Sequence, residues 1–182
     1  MGERKPVEQD GNSRPKSPDS AASGDLLCDL LRPERVVLTI EATEKREILK
    51  ELLSLVVADQ PEEVQAAALE ALMQREEVGS TGIGDGIALP HARTSAVREM
   101  RMAAGVSRDG LNFDSLDGKP VHLFFLILTP ANASGAHLKL VGQLARVLRS
   151  RELRENLRSA TTCEQFCRIL RLACGQSLEH GS

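Results

Sequence analysis

The chain reads as an α/β domain, a sheet covered by helices on both sides. Three observations predict this. Short β-branched or apolar runs alternate with segments whose apolar residues recur at helical spacing. One run, Val121-His-Leu-Phe-Phe-Leu-Ile-Leu128, is apolar almost throughout, as expected of a central strand buried on both faces. A glycine-rich stretch, Gly79 to Gly86, sits between a helical segment and the short apolar run Ile87-Ala-Leu89, where the chain must turn sharply.

The whole chain narrows the possibilities. With 182 residues, 41% of them hydrophobic, it can form one compact domain with a core. A net charge of −3 gives no general affinity for nucleic acid or anionic membranes. No Trp or Tyr and only four Phe leave no aromatic platform for single-stranded nucleic acid. No apolar run approaches the roughly 20 residues needed to span a bilayer, and the N-terminus lacks the apolar core of a secretion signal. A cytoplasmic protein with no membrane insertion is expected.

Residues 1–24 are polar and carry Pro6, Pro15 and Pro18, so they are expected to form a disordered tail ahead of a domain at 25–175. Leu26–Leu31 is a short apolar helix or turn ending before Pro33, and Val36-Val-Leu-Thr-Ile40 is strand-like. Thr43 is placed to cap a helix with Ile48, Leu49, Leu52, Leu53 and Val56 on one face. Asp59-Gln60-Pro61 opens the next, which carries Val64, Ala67, Ala68, Ala71 and Leu72 and stops near Arg75–Val78. A strand is expected at about Met100–Val106, then turns at Asp109-Gly110 and Asp117-Gly118. After the strand at Val121–Leu128, a loop of small residues, Thr129 to Ala136, leads to His137 and a helix with Leu138, Val141, Leu144, Ala145 and Leu148.

Arg151–Leu157 is a short helix. Thr162 with Gln165 forms a capping box for the last one. There Cys163, Cys167 and Cys174 recur with Phe166, Leu170 and Ala173, so they read as small apolar residues on a buried face. Cys28 stands apart and no Cys-x-x-Cys pair exists, so neither a zinc nor a redox site is expected. Residues 176–182 are expected to be a frayed tail, in which His180 is given no role.

The candidate site lies in Gly79-Ser-Thr-Gly-Ile-Gly-Asp-Gly-Ile-Ala-Leu-Pro-His-Ala-Arg93. Pro90 stiffens the chain entering His91, at the end of the strand begun by Ile87. A histidine so held, beside a coil of backbone N–H groups, suits chemistry on an anion. By composition alone, His91 reads more readily as a histidine without a catalytic role than as a catalytic one. The dinucleotide fingerprint counted from Gly82 fails at Ile87, and the nucleotide phosphate loop fails for want of a Gly-Lys pair.

Gly82-Ile-Gly-Asp-Gly-Ile-Ala-Leu-Pro-His-Ala-Arg93 resembles the active-site signature of the enzyme IIA domains of the fructose/mannitol type. These belong to the bacterial phosphoenolpyruvate-dependent phosphotransferase system, and the chain looks most like the stand-alone nitrogen-related branch. Leu111-Asn-Phe-Asp114 and Pro120-Val121 also match the family, and the likeness runs from about Leu27 to Leu172. The resemblance implies a three-layer α/β/α sandwich with a mixed, roughly five-stranded sheet.

It also implies that His91 accepts a phosphoryl group, on Nε2, from the histidine-containing phosphocarrier protein. His137, protonated or hydrogen-bonding, faces it, and Arg75 neutralises the phosphoryl group; otherwise Arg75 reads as a solvated arginine. Ser80 and Thr81, with the loop's N–H groups, are assigned phosphoryl binding. No cofactor or metal is implied. His122, at the start of its strand, is given a structural role. Downstream, two readings stand: a regulatory module acting through protein partners, and a sugar-uptake component passing the phosphoryl group to a IIB protein. The polar extension and the cysteine-bearing last helix depart from the family pattern.

Overall fold

The structure is a computed structural model that describes the backbone of residues 26–179 and the side chains of residues 26–175. The expected tail at 1–24 and His180 lie outside the described residues. Among the described residues six strands form one mixed sheet: β1 (Val36–Val37), β2 (Gly82–Gly84), β3 (Ile87–Ala88), β4 (His91–Thr94), β5 (Arg101–Leu111) and β6 (Val121–Pro130). Their spatial order is β1-β5-β6-β3-β2, with β4 also on β6. The pair β5–β6 is antiparallel, whereas β1 runs parallel to β5, and β3 and β4 run parallel to β6.

Side chains alternate across a strand, so β6 serves two cores at once. Leu123, Phe125 and Ile127 pack under α1 (Leu26–Leu30), α4 (Ser134–Val147), α5 (Arg151–Arg158) and α6 (Cys163–Glu179). Phe124, Leu126 and Leu128 pack under α2 (Lys45–Val57) and α3 (Glu62–Val78). The result is the helix–sheet–helix sandwich. Cys167, Cys174, Phe166 and Leu170 all face the first core, as the helical spacing required. Among the described residues no helix is long and apolar enough to cross a membrane.

Several boundaries differ from expectation, each for a local reason. The first strand keeps only Val36 and Val37; the chain then bends, and Ile40 N–H returns to the Val106 carbonyl at 3.0 Å. Thr43 is not the cap of α2. Glu44 takes that position without a side-chain bond, while Glu51 reaches back to the Glu41 and Ala42 N–H groups, the latter at 2.9 Å. Strand β5 runs on to Leu111 because its register shifts between Val106 and Leu111, absorbing Gly110 at φ +83° as a bulge. Helix α4 begins at Ser134, so His137 lies inside its first turn. The Thr162 hydroxyl caps α6 through Gln165 N–H at 3.1 Å, but the Gln165 side chain bonds Thr161 instead. Helix α6 continues to Glu179, into the stretch expected to fray.

His91 does not end the strand begun at Ile87. Pro90 has no N–H to give, so the edge along β6 breaks there and restarts as β4 with His91 opposite Ile127. The Pro90 carbonyl still accepts from Ile127 N–H at 2.8 Å, which keeps both pieces in register.

Candidate functional site

Three elements converge on His91. It opens β4, Arg75 lies in the last turn of α3, and His137 lies in the first turn of α4. A cationic side chain suits a helix C-terminus, and Arg75 Nη1 donates to the Gly79 carbonyl just beyond it, at 3.0 Å. His137 Nδ1 lies 3.0 Å from Thr129 Oγ1 near the end of β6. Thr129 is the register partner of Arg93 on β4, so the two histidines are tied to adjacent strands.

The imidazole of His91 has a different partner at each nitrogen. Nδ1 lies 2.7 Å from the Leu89 carbonyl, which accepts only from an N–H. Nε2 lies 3.1 Å from Arg75 Nε, which only donates. Neutral His91 is therefore the Nδ1–H tautomer, with its lone pair on Nε2. The His137 ring stands 5.2 Å away, centroid to centroid, tilted by 55°.

Burial pushes the His91 imidazole below its ordinary value of 6.5, aided by Arg75 and opposed by the Leu89 carbonyl and Glu76. His137 is 8% exposed and is lowered too, first by burial, then by His91, Arg93 and Arg75. The fold thus favours the neutral form of both rings.

These groups open onto a cavity of about 430 Å³ lined by Ala71, Gln74, Arg75, His91, Ala92, Arg93 and His137. Among the described residues two guanidinium groups and no carboxylate line it, a lining that suits an anion. Arg93 and Gln74 were given no role by the sequence. Arg93 was legible, since residues two apart on a strand share a face and His91 faces the cavity. Gln74 carried no such signal.

Ser80 and Thr81 are not brought to the cavity. The Ser80 hydroxyl donates to the Phe113 carbonyl at 2.9 Å, and the buried Thr81 hydroxyl donates to Glu76 Oε2 at 2.6 Å. Nor is the glycine loop a phosphate cradle. The N–H groups of Thr81, Gly82, Gly84 and Asp85 go to Glu76, Ser80 Oγ, Ser115 Oγ and Asp117 Oδ2 respectively. The loop folds as a short hairpin of β2 on β3, with Asp85 and Gly86 at positive φ in its turn. Its glycines serve close packing: a Cβ on Gly82 would meet Ser115 Cα at 2.8 Å. His122 is structural, its Nδ1 3.0 Å from the Ser107 carbonyl and its ring packed against Gly86 and Gly110.

Comparison with known proteins places the chain in a family. Residues 29–172 match the family described as phosphoenolpyruvate-dependent sugar phosphotransferase system, EIIA 2. The nitrogen regulatory protein of Pseudomonas aeruginosa is 37% identical over 141 residues, covering 78% of this chain and 92% of that protein. The fructose-specific EIIABC component of Bacillus subtilis is 37% identical over 144 residues, which is 79% of this chain but only 23% of that protein's length. The crystal structure of nitrogen regulatory protein IIA-Ntr from Neisseria meningitidis superposes with a TM-score of 0.72 at 34% identity, covering 80% of this chain and 99% of that one. With most of its length matched in sequence and in fold, the chain belongs to the EIIA 2 family of the phosphotransferase system, the fructose/mannitol type.

Proposed function

We propose that the protein is a cytoplasmic phosphohistidine carrier that takes a phosphoryl group onto His91 Nε2 and serves nitrogen-related regulation through protein partners. The observation that carries this reading is the pair of contacts on His91, Leu89 carbonyl at Nδ1 and Arg75 at Nε2. The donor is a phosphohistidine on the histidine-containing phosphocarrier protein. The Nε2 lone pair attacks phosphorus, the donor's N–P bond breaks, and its electron pair returns to the donor imidazole. His91 keeps its Nδ1 proton against the Leu89 carbonyl, so no proton moves. Arg75 Nε releases Nε2 and turns to a phosphoryl oxygen, with Arg93 and His137 beside it. Such transfer depends mainly on positioning and on positive potential over the oxygens.

The fructose-specific relative supports a second reading, a sugar-uptake component that hands the phosphoryl group to a separate IIB protein. Incubation with phosphoenolpyruvate, enzyme I and the phosphocarrier protein tests the shared step. Intact-mass spectrometry should show one acid-labile phosphoryl group, absent from His91→Ala. Undiminished labelling of His91→Ala overturns the assignment. Rapid onward transfer to a purified fructose-type IIB protein favours the uptake reading over the regulatory one.

A further inference from the structure

Among the described residues Glu76 is the one buried carboxylate, its side chain 4% exposed. A charge in such a place needs compensating partners, or it destabilises the fold. Lys45 Nζ lies 3.1 Å from Oε1. The other partners all belong to Thr81, whose N–H is 3.1 and 3.0 Å from the two oxygens and whose hydroxyl is 2.6 Å from Oε2.

From Thr81 the bonds lead to the reacting ring. The Thr81 carbonyl accepts from Leu89 N–H at 2.9 Å, and the Leu89 carbonyl holds His91 Nδ1 at 2.7 Å. Lys45 adds a second anchor through Asp114 at 2.7 Å. Consecutive residues at one helix end therefore address opposite sides of the same imidazole. Arg75 meets Nε2 directly, and Glu76 reaches Nδ1 through Thr81 and Leu89.

We propose that Glu76 is a positioning residue: its carboxylate clamps Thr81, and through it the Leu89 carbonyl that keeps the proton on His91 Nδ1 and the lone pair on Nε2. This rests on the reading of His91 as the phosphoryl acceptor. A carboxylate that only stabilised the hairpin would leave the tautomer to the β4–β6 pairing and to Arg75.

The test uses the full chain as wild type, Glu76→Gln and Thr81→Val. Glu76→Gln removes the charge and one acceptor oxygen. Thr81→Val keeps volume and N–H but loses the 2.6 Å bond, and it decides the matter if Glu76→Gln does not fold. Long-range ¹H–¹⁵N correlation spectra read the His91 tautomer directly. Wild type should show Nδ1 protonated, and both variants should show a shift toward protonated Nε2. Phosphoryl acceptance should slow by about tenfold, the low end of what losing a partner behind a metal-bound histidine costs. A folded variant with wild-type His91 shifts and rate overturns the proposal. The spectra do not depend on phosphoryl transfer. A wild type that shows the expected tautomer but accepts no label overturns the acceptor reading, and the variants' spectra still judge the clamp.

Discussion

At His91 burial favours the neutral ring, the form that the proposed transfer uses. Burial is likewise the first cause of the lowered value at His137. In the unfolded chain both titrate near 6.5, and the folded values lie lower. Between those limits the unfolded chain binds more protons, so stability rises with pH across the window. The contribution is complete above about pH 6.5 and is lost as pH falls through the folded values. Thermal unfolding should therefore show wild type losing midpoint temperature below that pH faster than a His91→Gln/His137→Gln double variant. Equal slopes would mean that neither ring is held neutral by the fold.

One element, the hairpin from Gly79 to Ala88, turns a row of backbone donors into scaffold. The N–H groups of Thr81, Gly82, Gly84 and Asp85 end on side chains, so its glycines matter for clearance rather than for a ligand. Gly82 and Gly79 separate these roles. A Cβ at Gly82 would press on the backbone of Ser115 at 2.8 Å, whereas at Gly79 nothing lies within 4 Å. Gly79 has φ 162°, extended backbone open to other residues. Gly82→Ala should cost about 1–3 kcal/mol, as overpacking does, and slow phosphoryl acceptance, while Gly79→Ala should stay within about 0.5 kcal/mol. Urea denaturation followed by labelling of the folded fraction measures both. A harmless Gly82→Ala would show that the hairpin yields freely.

Across the whole molecule, β6 is the shared wall between two cores. Phe124 and Phe125 are both fully buried, yet they face opposite layers. Phe124 meets Phe113 edge-on at 5.3 Å, under α2 and α3; Phe125 meets Phe166 at 6.0 Å, against α6. Since both sit on one strand, the two layers should unfold together. Each of Phe124→Ala and Phe125→Ala should lose about 3–5 kcal/mol, with a single transition by circular dichroism and fluorescent-dye binding alike. A variant that melts one layer before the other would divide the domain into two cooperative units.

Periodicity and composition were enough for the sandwich, the apolar central strand, the buried cysteine face and the end of α3 near Arg75. These follow from local spacing, which repeats every two or 3.6 residues whatever the rest of the chain does. The motif around His91 is contiguous and could be read along the sequence, but the roles proposed for His91, Arg75 and His137 came from the family resemblance and not from spacing. The fate of the hairpin donors was not. Ser80, Thr81 and the glycine N–H groups looked free along the sequence, and their acceptors lie on Glu76 and on Phe113, Ser115 and Asp117. Phe113 is 33 residues from Ser80, and no local pattern records that approach. The choice of nitrogen on His91 was likewise a tertiary matter. It depends on which side of the ring meets a carbonyl and which a guanidinium, and only the packing of α3 against β4 puts Arg75 on one side and Leu89 on the other.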